Sequence, residues 1–437
     1  MTYQETCEYL FSQLPMFERQ GASGYKEGLD NSHALDNHFD HPHQKFTTIH
    51  VAGTNGKGSC AHTLSAILQL CGYKVGLYTS PHLVDFSERI RVNGQPISEE
   101  YVTEFVENEK SFFEPLHPSF FEITTAMAFK YFADMNVDIA VIEVGLGGRL
   151  DCTNIITPIL SVITNIGFDH TQFLGTSLEQ IAMEKAGIIK KNVPVVIGET
   201  TPETRAVFEA VAAENQAPIT FAEDQKELIS ASQAANGYEY HTRHFGILTG
   251  ELAGTYQEKN TNTILCAVQQ LEALGYMHPC ASDPYKPCMN REVRRGFKHV
   301  CTLTGLKGRW QKVNEAPLTI CDTGHNVAGW QYLSQQLNAV RCDHMHIVFG
   351  MVDDKDVQGV LELLPKNATY YFTKANNKRA LSENVIKVYA QGIGLNGESY
   401  PDVKTAYNAA KSAASNNDFV FVGGSSYIVA ELLKNCI

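Results

Sequence analysis

The 437-residue sequence has no long uninterrupted apolar run, no Cys-x-x-Cys pair and no surplus of basic residues. Nothing approaches 18 consecutive apolar residues, so a membrane-spanning helix is not expected. The N-terminal stretch carries Glu5 and Glu8 and has no basic segment followed by an apolar block, which argues against a secretory leader. Eleven cysteines are scattered along the chain, several of them within apolar periodic segments. An odd count without paired spacing reads as reduced core thiols, not as a disulfide framework or a structural zinc site. The formal charge of -13 is spread without a basic stripe, which argues against a nucleic-acid surface. With 43% hydrophobic and 19% charged residues, the composition is that of a soluble globular protein. The length is too great for one ordinary core, so two or three domains in a cytoplasmic protein are expected.

What is present is organised around Phe46 to Cys71. An apolar, β-branched run, Thr47 to Ala52, gives way to Gly53-Thr54-Asn55-Gly56-Lys57-Gly58-Ser59. A segment with Cys60, Leu64, Ile67, Leu68 and Cys71 on one helical face follows. Strand, glycine loop and helix in that order make a phosphate cradle: backbone N–H groups turn inward, the helix N-terminus adds partial positive charge, and Lys57 adds a full one. The loop departs from the standard Walker A pattern, because Val51 stands five residues before Gly56 and Gly58 separates Lys57 from Ser59. The expectation is Lys57 on the β- and γ-phosphates of a nucleotide and the Ser59 hydroxyl on Mg²⁺.

Further along, Lys74 to Tyr78, Asp138 to Val144, Leu160 to Ile166 and Val193 to Ile197 read as buried strands. Helices at Phe120 to Met135 and Ser177 to Ala186 lie between them, and Val84 to Ile97 reads as a long excursion with a turn at Asn93-Gly94. This βαβ alternation predicts a parallel sheet covered on both faces. Ile219 to Gly254 breaks the rhythm and reads as a small antiparallel appendage. Helices are expected at Asn260 to Leu274 and Asn290 to His299, with a proline-rich loop, Pro279 to Pro287, between them. From about residue 300 the alternation restarts as a second α/β unit, with strands at Leu318 to Cys321, His346 to Phe349, Thr369 to Phe372 and Phe419 to Val422.

Glu143 ends one strand and His170 follows another, the positions where ligands collect in open parallel sheets. With Ser59 they offer a hydroxyl, a carboxylate and an imidazole for a divalent metal. Lys185, in the segment IAMEKAGIIK, reads from periodicity alone as a side chain snorkelling to solvent. In the second unit, Gly305-Leu306-Lys307-Gly308-Arg309-Trp310 offers an arginine that could clamp a nucleotide or be a linker charge. Asp322-Thr323-Gly324-His325-Asn326 and Gly423-Gly424-Ser425-Ser426 form two polar clusters at strand ends, and a cleft between the domains is the expected active site.

Taken together, HVAGTNGKGS, TSPHL with ERIRVNG, FEITTAMAF, EVGLGGRLDCTN, TNIGFDHTQFLG, EKAGIIK, GLKGRW, CDTGHN, FGMVDDKD and GGSSYIVAEL resemble, in order and over nearly the whole chain, the Mur ligase superfamily and its folylpolyglutamate synthase and dihydrofolate synthase family. The resemblance implies an α/β fold with a P-loop ATPase domain of mostly parallel sheet over residues 1–299 and a smaller Rossmann-like domain over 300–437. The implied reaction is ATP-dependent activation of a carboxylate to an acyl phosphate, followed by attack of the L-glutamate amine. By the same resemblance, Gly53 to Ser59, Asn260, Arg309 and Asp322 bind ATP. Ser59, Glu143, His170 and a carbamylated Lys185 hold two Mg²⁺ ions, with Lys57, His170 and Lys185 as the catalytic set. Ser80, Pro81, His82 and Asp151 border the pterin side, and His325 and Ser426 hold the incoming glutamate.

The sequence departs from the family pattern at Tyr256-Gln257, where His-Gln is usual, and at Lys307, Thr323-Gly324 and Asp353. The expected function is glutamate addition to dihydropteroate and to reduced folates by a cytoplasmic monomer. The alternatives are polyglutamylation alone or another Mur-type amino-acid ligase. A peptidoglycan-precursor ligase is expected to carry a separate domain for its UDP-sugar substrate, and only about 45 residues precede the glycine loop. A P-loop switch protein would have no use for a second α/β unit with two strand-end clusters.

Overall fold

A computed structural model describes residues 1–15, 28–234, 237–277 and 289–437, with the Met289 side chain excluded. The proline-rich loop expected at Pro279 to Pro287 lies outside the described residues. Among those described, 1–15, 28–251 and 257–306 form one compact unit, and 252–256 with 307–437 form another.

The first unit is built on eight strands: β1 (Thr47–Ala52), β2 (Val75–Tyr78), β3 (Ile90–Val92), β4 (Gln95–Pro96), β5 (Ile139–Glu143), β6 (Leu160–Ile163), β7 (Val195–Ile197) and β8 (Ile219–Phe221). Their order is β4-β3-β2-β5-β1-β6-β7-β8, and every pair from β2 to β8 is parallel. β1 pairs with β5 (Val51↔Glu143) and with β6 (Ala52↔Ile163), so the glycine loop leaves the sheet between the ends of β5 and β6. Alternation along each strand divides its side chains between two cores. Ile49, Val51, Val141 and Val162 pack with the helix Lys57–Leu70, whereas Ala140 and Ile142 pack with the helix Phe120–Asp134. Burial on both faces explains why these strands read as continuous apolar runs.

One reading from sequence is corrected and another is refined. Ile219–Phe221 pairs in parallel with β7 and completes the main sheet, so the antiparallel appendage is only β9 (Leu228–Ala234), β10 (Gly237–Thr242) and β11 (Ile247–Gly250). The excursion after Tyr78 is a short 3-10 turn, Phe86–Arg89, and a β3–β4 hairpin that extends the sheet. Asn93 and Gly94 at its tip have φ of 49° and 76°, the left-handed pair that a two-residue hairpin requires.

The second unit carries β12 (Gln311–Glu315), β13 (Leu318–Asp322), β14 (Met345–Phe349), β15 (Thr369–Phe372), β16 (Asn396–Ser399) and β17 (Phe419–Gly423) in the order β12-β13-β17-β14-β15-β16. All pairs are parallel except β12–β13. The two strands that sequence reading overlooked, β12 and β16, are the edges. Their sequences, QKVNE and NGES, lack the apolar pattern because an edge strand is not buried on both faces. Among the described residues no helix is long and apolar enough to cross a membrane.

Candidate active site

The glycine loop occupies the switch point of the first sheet, where a crevice opens at the carboxyl ends of adjacent parallel strands. Gly53 and Gly56 have φ of 143° and 85°, and a side chain at either would collide, with Thr164 Oγ1 and with Asn260 Oδ1 respectively. Gly56 is the residue before the helix Lys57–Leu70, so the unpaired N–H groups of that helix's first turn face the loop. The segment after β6 holds the loop in shape. Thr54 N–H donates to Asn165 O (2.9 Å) and Asn55 N–H to Asn165 Oδ1 (2.9 Å). Gly167 N–H donates to Thr54 Oγ1 (3.0 Å), and Thr164 Oγ1 donates to Asn55 O (2.5 Å). Thr164, Asn165 and Gly167 were not singled out from sequence; their signal was position at the end of the strand next to the glycine loop.

Two lysines converge on one carbonyl. Lys57 Nζ donates to Gly53 O (3.1 Å) and Thr54 O (3.2 Å), and Lys185 Nζ donates to the same Gly53 O (3.0 Å). Lys185 is 5% exposed, so the snorkelling expectation fails. The short helix Leu178–Ala186 turns Lys185 inward, while its neighbour Glu184 pairs with Arg149 outside. Burial, and next the Lys57 charge, lower the Lys185 pKa to about 7 against the opposing pull of Asp169 and Asp151. The first turn of a helix, two ammonium groups and inward N–H groups together form a site for a polyanion.

Ser59 is buried, and its Oγ accepts from Gln257 Nε2 (3.1 Å), whose Oε1 accepts from Asn260 Nδ2 (2.9 Å). Glu143 is buried at the end of β5, and its Oε2 accepts from Ser80 N–H (3.3 Å). His170 stands at φ 50°, seven residues past β6. Among the described residues no three His, Cys, Asp or Glu side chains gather as a metal group. Ser59 and Glu143 offer a hydroxyl and a carboxylate at the glycine-loop end of the sheet, and His170 offers an imidazole on the segment after β6. That oxygen-rich set fits a hard divalent cation that shares its shell with nucleotide phosphates.

Asp151 spends its buried carboxylate within its own loop, accepting from Leu146 N–H (2.8 Å), Thr153 N–H (3.0 Å) and Thr153 Oγ1 (2.5 Å). Burial raises its pKa. On the Thr79–Leu83 segment His82 Nδ1 accepts from Nε of the fully buried Arg89 (2.7 Å), which places the ring proton on Nε2.

In the second unit, β13 and β17 bring Asp322 and Gly423 into register, so the clusters Thr323–Asn326 and Gly424–Ser426 follow the carboxyl ends of neighbouring strands. Asp322 Oδ2 accepts from the Tyr256 hydroxyl (2.6 Å) and Trp310 N–H (2.7 Å), and Oδ1 from Gly324 N–H (2.8 Å). Arg309 donates to Thr323 Oγ1, and His325 Nδ1 lies 3.1 Å from Thr323 O. Ser425 caps the helix Ser426–Asn435.

Known proteins share this fold. The Mur ligase middle domain matches residues 51–268, and the Mur ligase glutamate ligase domain matches 308–426. The dihydrofolate synthase/folylpolyglutamate synthase of Bacillus subtilis (strain 168) is 33% identical over 446 residues, spanning 99% of this chain and 98% of that protein. E. coli FolC in complex with DHPP and ADP superimposes with a TM-score of 0.82 at 29% identity, over 99% of this chain and 97% of that one. A bifunctional folylpolyglutamate synthase/dihydrofolate synthase with Mn, AMPPNP and L-glutamate bound gives a TM-score of 0.79 at 30% identity, over 99% and 97%. The chain belongs to the Mur ligase family, in its dihydrofolate synthase/folylpolyglutamate synthase branch.

Proposed function

We propose that this protein is an ATP-dependent ligase that joins L-glutamate to the carboxylate of dihydropteroate and of reduced folates. The observation that carries the reading is the pair of lysines on Gly53 O, inside a glycine loop at a helix N-terminus. On nucleotide binding Lys57 exchanges the Gly53 and Thr54 carbonyls for the β- and γ-phosphates. The acceptor carboxylate attacks the γ-phosphorus and ADP leaves, giving an acyl phosphate. The α-amine of L-glutamate then attacks the acyl carbon, loses its proton and expels phosphate, leaving an amide. The protein supplies in-line placement and charge neutralisation, the main terms in phosphoryl transfer.

Ser59, Glu143 and His170 would hold Mg²⁺, which neutralises charge on the phosphates when bound. A lysine with a pKa of about 7 is partly the free amine near neutrality. Lys185 can therefore add CO₂ to form a carbamate, releasing a proton and becoming an anionic oxygen ligand for a second ion. Asn260, Arg309 and Asp322 serve the nucleotide, Ser80, Pro81, His82 and Asp151 the acceptor, and His325 and Ser426 the glutamate. The first unit acts as the ATPase domain and the second as the ligase domain, in a cytoplasmic monomer.

ADP release with Mg²⁺, ATP and L-glutamate tests this, comparing dihydropteroate with tetrahydrofolate as acceptor and identifying products by mass. Each acceptor is expected to gain one glutamyl residue. Turnover with tetrahydrofolate alone would reduce the function to polyglutamylation, and turnover with neither would overturn it.

A further inference from the structure

Gln257 has no role in the scheme above, yet it lies between two residues that do. Ser59, Gln257 and Asn260 are all buried, and their polar atoms form one chain: Asn260 Nδ2 donates to Gln257 Oε1 (2.9 Å), and Gln257 Nε2 donates to Ser59 Oγ (3.1 Å). Asn260 is itself fixed, because its Oδ1 packs against the Cα of Gly56, where no side chain fits. Gln257 and Asn260 sit three apart on the helix Gln257–Ala273, so one rigid face presents both.

The direction of this chain has a chemical consequence. A serine hydroxyl has one proton and two lone pairs. A serine in a helix commonly turns its proton back to the carbonyl four residues earlier. Here that carbonyl belongs to Asn55 and accepts from Thr164 Oγ1 (2.5 Å), and the Ser59 hydroxyl forms no hydrogen bond to it. The Gln257 amide occupies one Ser59 lone pair and cannot accept the proton through the same nitrogen. The remaining lone pair and the proton are left for the ligand side.

Resting on the proposed nucleotide–metal role of Ser59, we infer that Gln257 is a positioning residue that orients the Ser59 hydroxyl, so that its free lone pair meets the divalent cation and its proton meets a phosphate oxygen. Gln257 touches neither itself. Its effect is confined to the metal-dependent part of nucleotide binding and passes entirely through Ser59.

The test is a double-mutant cycle read as the dissociation constant of ADP, with Mg²⁺ and again with EDTA, for wild type, Gln257→Met, Ser59→Ala and the double variant. Should Gln257→Met not fold, judged by far-ultraviolet dichroism, Gln257→Leu replaces it. The expected result is an affinity loss of about 10-fold in Mg²⁺ for the Gln257 variant, the order of one hydrogen bond serving a charged group. The expected change in EDTA is less than about 2-fold, with the double variant no weaker than Ser59→Ala alone. Equal losses with and without Mg²⁺, or losses that multiply in the double variant, would overturn the inference while leaving the site intact. Wild-type ADP affinity indifferent to Mg²⁺ would overturn the Ser59 reading and this inference with it.

Discussion

Lys185 and Asp322 are both ionisable side chains buried next to a parallel sheet, 5% and 2% exposed, and they are treated in opposite ways. Asp322 is met by three internal donors, from Tyr256, Trp310 and Gly324, so its carboxylate is satisfied within its own unit. Lys185 donates to Gly53 O, a carbonyl it shares with the second cation Lys57. Burial raises the carboxylate's pKa and lowers the ammonium's, as desolvation requires of each. Only the aspartate has compensating partners on most sides. The second-unit cluster is thus organised before any ligand arrives, whereas the glycine-loop cluster sets two lysines on one carbonyl, an arrangement that a bound anion completes.

Four substitutions sharpen that contrast, beginning with the largest effect. Lys57→Ala removes the half-buried cation of the pair, and ADP formation is expected to fall about a thousandfold, as when a single transition-state donor is lost. Steady-state assay at saturating ATP measures it, and a loss under 10-fold would break the contrast.

Lys185→Met separates chemistry from stability. Most turnover is expected to vanish while the fold persists. An unfolded lysine titrates near 10.5 and Lys185 near 7, so between those values the unfolded chain binds more protons and wild-type stability rises with pH. The burial penalty is complete below pH 7 and gone above 10.5. The variant is therefore expected to be more stable than wild type at pH 6, by an order of a few kcal/mol, with the advantage shrinking towards pH 10. Urea unfolding at both pH values measures this.

Asp322→Asn leaves a buried donor short of its acceptor and is expected to destabilise by about 1–3 kcal/mol in the same measurement. Arg149→Ala breaks the half-exposed pair with Glu184 and is expected to change stability by less than about 0.5 kcal/mol.

Much of this site was legible in the sequence because a phosphate loop is local. Gly53 to Ser59 contains the turn, the charge and the helix start in seven consecutive residues. The central strands were legible because burial on both faces leaves a continuous apolar run. What escaped reading is what depends on distant neighbours. Asn165 supports the loop through a contact 110 residues away in sequence, and Gln257 meets Ser59 across 198. Lys185 looked like a solvated side chain because periodicity cannot tell an inward lysine from an outward one. The helices Glu99–Phe113 and Pro202–Glu214 did carry local signals that went unread. Ser98 accepts from Tyr101 N–H at the start of the first, and Thr201 with Pro202 opens the second.

The central claim is that the acceptor's own carboxylate takes the γ-phosphoryl group at the glycine loop. Dihydropteroate labelled with ¹⁸O in both carboxylate oxygens, incubated with ATP, Mg²⁺ and L-glutamate, tests it directly through the mass of the released phosphate. The account predicts one ¹⁸O in each phosphate, formed only when acceptor and glutamate are both present. Phosphate without label would show that water, not the carboxylate, attacks the nucleotide, and would contradict it.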